Sequence, residues 1–310
     1  MTVTTCLRAT LSALLLVSAS TLAAGGKVYP DPTAATDALV AASRSGDVKA
    51  VLAVLGDRSK AFLVSGDPVA DRAALTRFVE LYDRTHELSS PDETTRTLTI
   101  GDDAWPFPIP VVKGKTGWSF DTAAGEKEVL KRRVGQNELD VIQTCIGYVE
   151  AQRDYLRRNP DGASVPHYAD RLLSTPGKRD GLFWQSAPGE PESPMGPAVS
   201  GAVGQGYTLK RGANAPYHGY HFRLLTAQGP NAEGGALDYR ENGKLTRGFA
   251  LIAWPASYGK SGVMSFLVNQ SGVVLEKDLG PNTASIASGI KRFDPDSSWK
   301  PVQSPEPPQG

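Results

Sequence analysis

A chain of 310 residues has room for two ordinary domains, and its 40% hydrophobic and 21% charged residues suit a folded, globular protein. Lys plus Arg, 33, equals Asp plus Glu, 33, so no net field draws in nucleic acid or an anionic surface, and a nucleic-acid partner is excluded as the leading reading. The 32 glycines and 23 prolines predict many turns and at least one long loop.

Residues 1–25 carry one positive charge at Arg8, an apolar run over 11–17, then small residues from Ala19 to Gly26. That order is a secretory signal peptide, with cleavage expected between Ala23 and Gly26. The apolar run is too short to span a bilayer, and no later stretch approaches the roughly 18 apolar residues a spanning helix needs. The mature protein is expected to be exported, periplasmic or extracellular, with no transmembrane segment. Cys6 leaves with the leader, so Cys145 remains alone and reads as a buried thiol rather than a disulfide partner.

A first piece is expected over residues 29–125. Leu39, Val40, Val48, Val51, Leu52 and Leu55 recur at helical spacing, broken at Ser45-Gly46-Asp47, where Asp47 can cap a second helix. Leu75, Phe78, Val79 and Tyr82 mark a further helix running on through "LYDRTHEL". Strands follow in "TTRTLTI", "PFPIPVVK" and "GWSFDTA". Pro106, Pro108 and Pro110 remove donors from one side of the middle strand and predict an edge. Helices first and a short antiparallel sheet afterwards give an α+β piece. Its element order resembles the cone-like folds of the nuclear-transport-factor-2 superfamily.

A second piece is expected over 126–296. It opens on a long helix in which Leu139, Ile142, Ile146, Val149 and Leu156 form one apolar stripe, with Gly135 dividing off a more charged start and residues 159–162 ending it. The cluster Lys131-Arg132-Arg133, alternating with Glu126 and Glu128, reads as a solvated helix surface. A short helix at 168–173 leads into a Pro/Gly-rich excursion over 176–219. An antiparallel meander then runs through "GYHFRLLTAQ", "GFALIAWP", "VMSFLVNQ" and "GVVLEKD". The third and fourth strands join through a hairpin turn at Asn269-Gln270-Ser271-Gly272. Residues 249–254 are apolar throughout and predict a central strand covered on both faces: the long helix on one, the excursion or the first piece on the other. A closing helix has Pro281 in its first turn, and residues 297–310 read as a disordered tail.

The helix "NELDVIQTCIGYVEAQRDYL" with the pair "GFALIAWPASYGKSGVMSFLVNQSGVVLEKDLG" resembles the globular part of type IV pilins and pseudopilins. A pilin begins with an exposed apolar helix that packs into a filament core. Here the corresponding helix is internal and starts with "EKEVLKRR", so it supplies no such core. The wording of "WPFPIPVVK…GWSFDTAAGEKEVLKRRVGQNE" and "RLLSTPGKRDGLFW" resembles an exported bacterial family known only as a domain of unknown function, over residues 30–296.

Candidate chemistry is thin. Asp83 and His86, at i and i+3, share a helix face where a pocket in the first piece could use them for binding or acid–base work. His218 and His221 are the closely spaced histidine pair, but neither His86 nor His167 completes a metal-ligand spacing. His221 shares a strand face with Arg223, opposite Tyr220 and Phe222. Tyr258–Gly262 lacks the leading glycine of a phosphate-binding loop and reads as a tight turn. No Gly-x-Ser-x-Gly elbow occurs. The sequence gives no catalytic residue, cofactor or metal. It points to a non-enzymatic binding or structural module in contact with envelope or pilus-related proteins. A small-molecule binder or enzyme using the first piece is the alternative.

Overall fold

The computed structural model describes residues 26–208 and 215–302. The leader expected over 1–25 and residues 303–310 of the expected tail lie outside the described residues.

Three aspartates start three helices. α1 (Pro32–Arg44), α2 (Val48–Leu55) and, after the single turn α3 (Lys60–Leu63), α4 (Pro68–Arg84) fill the first piece. Asp31, Asp47 and Asp67 occupy the N-caps of α1, α2 and α4, each accepting a first-turn backbone N–H on its carboxylate. The expected break at Ser45-Gly46-Asp47 is where α1 gives way to α2.

Short strands follow: β1 (His86–Ser89), β2 (Thr95–Ile100), β3 (Trp105–Pro106), β4 (Val111–Lys113) and β5 (Trp118–Phe120). They run antiparallel in the order β1-β2-β4-β5, with β3 also paired to β2. The single proline-bearing edge strand is corrected. It splits into β3, which pairs with β2, and β4, which lies between β2 and β5. Pro108 and Pro110 fall in the break, where a missing N–H costs no ladder bond. Leu39, Val51, Leu55, Phe62, Val111 and Phe120 pack between helices and sheet.

α5 (Thr122–Arg158) follows, capped by Asp121 and unbroken across Gly135. The boundary expected at residue 125 therefore falls inside a helix. Val129 and Leu130 near its start pack on the core of the first piece, and its C-terminal half packs on the second. One rigid rod serves both.

After α6 (Gly196–Gly204) comes β6 (Tyr220–Leu225), then the small pairs formed by β7 (Ala227–Gln228) with β8 (Leu237–Asp238) and β9 (Arg240–Glu241) with β10 (Lys244–Leu245). β11 (Ala250–Pro255), β12 (Met264–Asn269), β13 (Leu275–Asp278), α7 (Thr283–Gly289) and β14 (Lys300–Pro301) complete the described chain. The main sheet has the order β14-β13-β12-β11-β6, antiparallel throughout, so the predicted meander and the inner position of β11 are both present. All of β11 is buried. The fold is α+β, with the long helix laid on an antiparallel sheet.

The face α5 turns to the sheet is only partly the expected one: Val149 is buried and Ile142 packs on the same core, but the centre of the contact is shifted. Val141, Cys145, Tyr148, Gln152 and Tyr155 are buried against Tyr220, Phe249, Leu251 and Phe266. Leu139 and Ile146 of the expected stripe remain 48% and 37% exposed. Each fully buried aromatic is worth about 1.5–3 kcal/mol, so the stripe with the two rings of Tyr148 and Tyr155 wins over the aliphatic tips of Leu139 and Ile146. Asn137 and Glu138 fix the other end of the contact: Asn137 donates to the Ser261 carbonyl at 2.8 Å, and one Glu138 oxygen accepts the N–H groups of Val263 and Met264 at 2.9 Å.

The opposite sheet face is covered by the segment between β6 and β11, by α7 and by the chain end, through Tyr239, Leu245, Phe293 and Trp299. Neither the Pro/Gly-rich excursion nor the first piece covers it. The excursion instead lies on the α5 side, where Leu182 and Met195 join the core. No helix forms at 168–173; Tyr168 bridges to Leu245 in extended form. Residues 297–302 of the expected disordered tail are ordered, because Trp299 is buried and β14 pairs with β13. Pro281 lies just ahead of α7 rather than inside its first turn. The Asn269–Gly272 hairpin turn is as expected. Asn269 Oδ1 accepts from the backbone and hydroxyl of Ser271, and Gly272 has φ +84°.

Candidate functional site

α6 exists because "GPAVSGAVG" places Pro197 in a first turn and small apolar residues beyond it. It stands off from α5, and between them opens a cleft of about 850 Å³. Tyr148, Phe222 and Leu251 form its floor, Met195 and Val199 its α6 wall, and Asp140, Thr144 and Gly147 its α5 wall. The first piece contributes Asp67, Pro68 and Val69 at one end.

That end is tightly organised. Asp67 is 1% exposed. Its Oδ1 caps α4, and its Oδ2 accepts the Tyr207 hydroxyl at 2.9 Å and the Gly219 N–H at 3.0 Å. The Tyr207 oxygen in turn accepts the His218 N–H at 3.2 Å. Burial and the Asp67 charge push the Tyr207 phenol well above its usual range. These groups are committed to one another and hold the wall rather than reach for a ligand.

His218, at the turn before β6, has φ +49° and places Nδ1 3.3 Å from Asp140 Oδ2. Burial pushes the Asp140 carboxyl up, but hydrogen bonds from His218 and Gln136 outweigh it and hold the group below the usual carboxylate range. Beside this pair, the Tyr217 ring meets Tyr207 at 4.9 Å, His218 at 4.2 Å and Phe222 at 6.4 Å between centroids. Burial, then the Asp140 charge, raises the Tyr217 phenol. The result is an aromatic corner with one carboxylate at its lip.

The two histidines singled out in sequence part company here. His218 lines the cleft, whereas His221 lies in β6 with its ring 5.6 Å from Trp254, on the sheet face shared with Arg223. Asp83 and His86 do not share a helix face. α4 ends at Arg84, and His86 starts β1, stacked on the Tyr82 ring with Nδ1 2.9 Å from the Tyr82 carbonyl oxygen. Asp83 is an exposed ion-pair partner of Arg44. Neither lines the cleft. Among the described residues no group of three or more His, Cys, Asp or Glu gathers as metal ligands do. Tyr258–Gly262 forms the expected tight turn, with the Gly259 N–H bonded to the Gly262 carbonyl at 2.8 Å.

A family model matches residues 26–302. The chain belongs to the family described as protein of unknown function DUF2950. No curated protein and no solved structure matches the chain. The likeness of this DUF2950 chain to pilins therefore gains no support from a known structure. Among the described residues no helix is long and apolar enough to cross a membrane.

Sequence reasoning reached His218 but missed the cleft around it. Asp67, Asp140, Val199 and Tyr217 are far apart in the chain, and the one local signal was the run of small residues that makes α6 slim.

Proposed function

We propose that this DUF2950 protein is an exported, non-enzymatic binding module of the cell envelope, and that the α5–α6 cleft holds a small, largely apolar molecule. The charged, apolar, then small order of residues 1–26 supports export. The observation that carries the binding reading is the cleft itself. Its volume of about 850 Å³ falls inside the roughly 300–1,000 Å³ common for small-molecule sites, and an apolar floor with few polar groups is their usual lining. This reading moves the binding site away from Asp83 and His86 and onto the α5–α6 interface.

Gly147 offers a clean test. A Cβ built there meets nothing within 4 Å, and the residue lines the cleft. Gly147→Phe should fill the cleft, while the loss of a helical glycine offsets the cost by about 1 kcal/mol. Purified protein is expected to bind the neutral dye Nile red saturably, and Gly147→Phe to lose that binding with its melting temperature retained. Equal dye binding by both proteins, or no saturable binding by either, would overturn the reading.

A further inference from the structure

We propose that the cleft selects an organic cation carrying an apolar chain, with Asp140 anchoring the ammonium group beside the Tyr217 ring. The inference rests on the binding role proposed above and adds the charge of the ligand.

The charge around the cleft is one-sided. Arg157 is already bound by Asp154 at 2.7 Å, and His218 by Asp140 at 3.3 Å. On the acidic side, Glu150 also lines the cleft, and among the described residues it has no ion-pair partner. Among the described residues the lining sets four carboxylates, Asp67, Asp140, Glu150 and Asp154, against the Arg157 guanidinium and the His218 ring, so it favours a cation over an anion.

The aromatic corner points the same way. Tyr217 and Phe222 both line the cleft with their centroids 6.4 Å apart. Ring faces attract an ammonium within about 6 Å of the centroid, and the attraction grows where water is excluded. His218 touches both groups, with Nδ1 3.3 Å from Asp140 Oδ2 and its ring centroid 4.2 Å from that of Tyr217, so ring and carboxylate flank one spot at the lip of the cleft. Asp140 Oδ1 accepts from Gln136 at 3.0 Å and Oδ2 faces His218, which leaves each oxygen a further lone pair for a ligand. Opposite this lip, Leu172, Met195, Val199 and Leu251 give an alkyl chain a dry bed.

The experiment is calorimetric titration of the full mature chain with three ten-carbon probes below their micelle concentrations: decyltrimethylammonium, 1-decanol and decanesulfonate. The expected order of affinity is ammonium, then alcohol, then sulfonate. Asp140→Asn is expected to weaken the ammonium probe about tenfold, equivalent to about 1.4 kcal/mol, and to leave decanol unchanged. Glu150→Gln, at an exposed position, serves as the second variant and should weaken the ammonium probe about twofold to threefold. Decanol or sulfonate binding as tightly as the ammonium probe, or neither variant changing the ammonium affinity, overturns the cation while leaving the cleft as a binding site. Binding of none of the three overturns both.

Discussion

The carboxylate of Asp67 accepts the backbone N–H of Gly219 at 3.0 Å, across 152 residues of chain. The same buried side chain caps α4 and takes the Tyr207 hydroxyl, so one aspartate ties a helix start, the segment after α6 and the turn before β6 together at the end of the cleft. Asp67→Ala removes a cap worth about 1 kcal/mol and strands buried donors worth about 1–3 kcal/mol more, for an expected loss of about 2–4 kcal/mol. Urea unfolding should show the midpoint falling with the slope unchanged. Tyr207→Phe, which removes the bond to Asp67 and the acceptor of the His218 N–H, should lose about 1–3 kcal/mol.

Gly219 itself has no room for a side chain. Its φ is +73°, and an added Cβ would lie 2.6 Å from Asn137 Nδ2 and 2.9 Å from Ser261 Cβ. Gly219→Ala therefore combines left-handed backbone strain of about 1–2 kcal/mol with a clash against the α5 contact to the 256–262 turn. A loss of at least about 2 kcal/mol in chemical unfolding is expected. Gly147→Ala, on α5 with open space above it, should instead gain up to about 1 kcal/mol.

Gln152 carries a comparable load in the second core. It is fully buried, donates to the Ala169 carbonyl at 2.8 Å and accepts the Ala169 N–H at 2.9 Å, replacing a missing strand neighbour. Gln152→Ala leaves both groups of Ala169 unpaired and opens a void, for an expected cost of about 3–5 kcal/mol. Hydrogen exchange at the Ala169 amide should accelerate in any folded fraction.

Gln152 also explains why the buried face of α5 was hard to read. Two stripes at helical spacing compete on this helix. One is the aliphatic set of Leu139, Ile142, Ile146, Val149 and Leu156, of which Val149 is also buried in the core. The other runs through Val141, Cys145, Tyr148, Gln152 and Tyr155, and a glutamine in its middle makes it look like a polar face. Hydropathy favours the first, but the second wins because its polar atoms find partners: Gln152 on Ala169, and Tyr155 on the Arg179 carbonyl at 2.8 Å. Where chemistry is local, the sequence was a better guide. Asp47 announced its cap, and Asn269-Gln270-Ser271-Gly272 its turn, because the groups that satisfy each backbone lie within a few residues. The cleft has no such signature. It depends on Asp67, Asp140 and Tyr217 meeting across three segments, which no helical periodicity reveals.

Cys145 sits in that inner stripe with no exposed surface, and burial pushes its thiol up to about 12. A thiol in that state is almost wholly protonated at neutral pH and is a poor nucleophile. Ellman's reagent should leave it untouched in the native protein and titrate it at once in denaturant. Rapid native reaction would mean that α5 lifts from the sheet on the timescale of the assay.

Asp161 sets a pH-dependent clasp behind the cleft-bearing helix. Its Oδ2 lies 2.9 Å from His167 Nε2 and 3.3 Å from Lys244 Nζ, joining the residues after α5 to the β9–β10 pair. Burial pushes the Asp161 carboxyl up, but the hydrogen bonds and charge of His167 and Lys244 outweigh it, and the group stays below its usual range. The fold therefore favours the ionised form. This stabilisation is complete above the ordinary aspartate value of about 4 and is lost as pH falls from there through the lower folded value. Asp161→Asn should lower stability at neutral pH and make its decline below about pH 4 shallower than in the parent protein. Unfolding midpoints measured from neutral pH down to about pH 3 separate this from a general loss of packing, which would shift the whole curve by a constant amount.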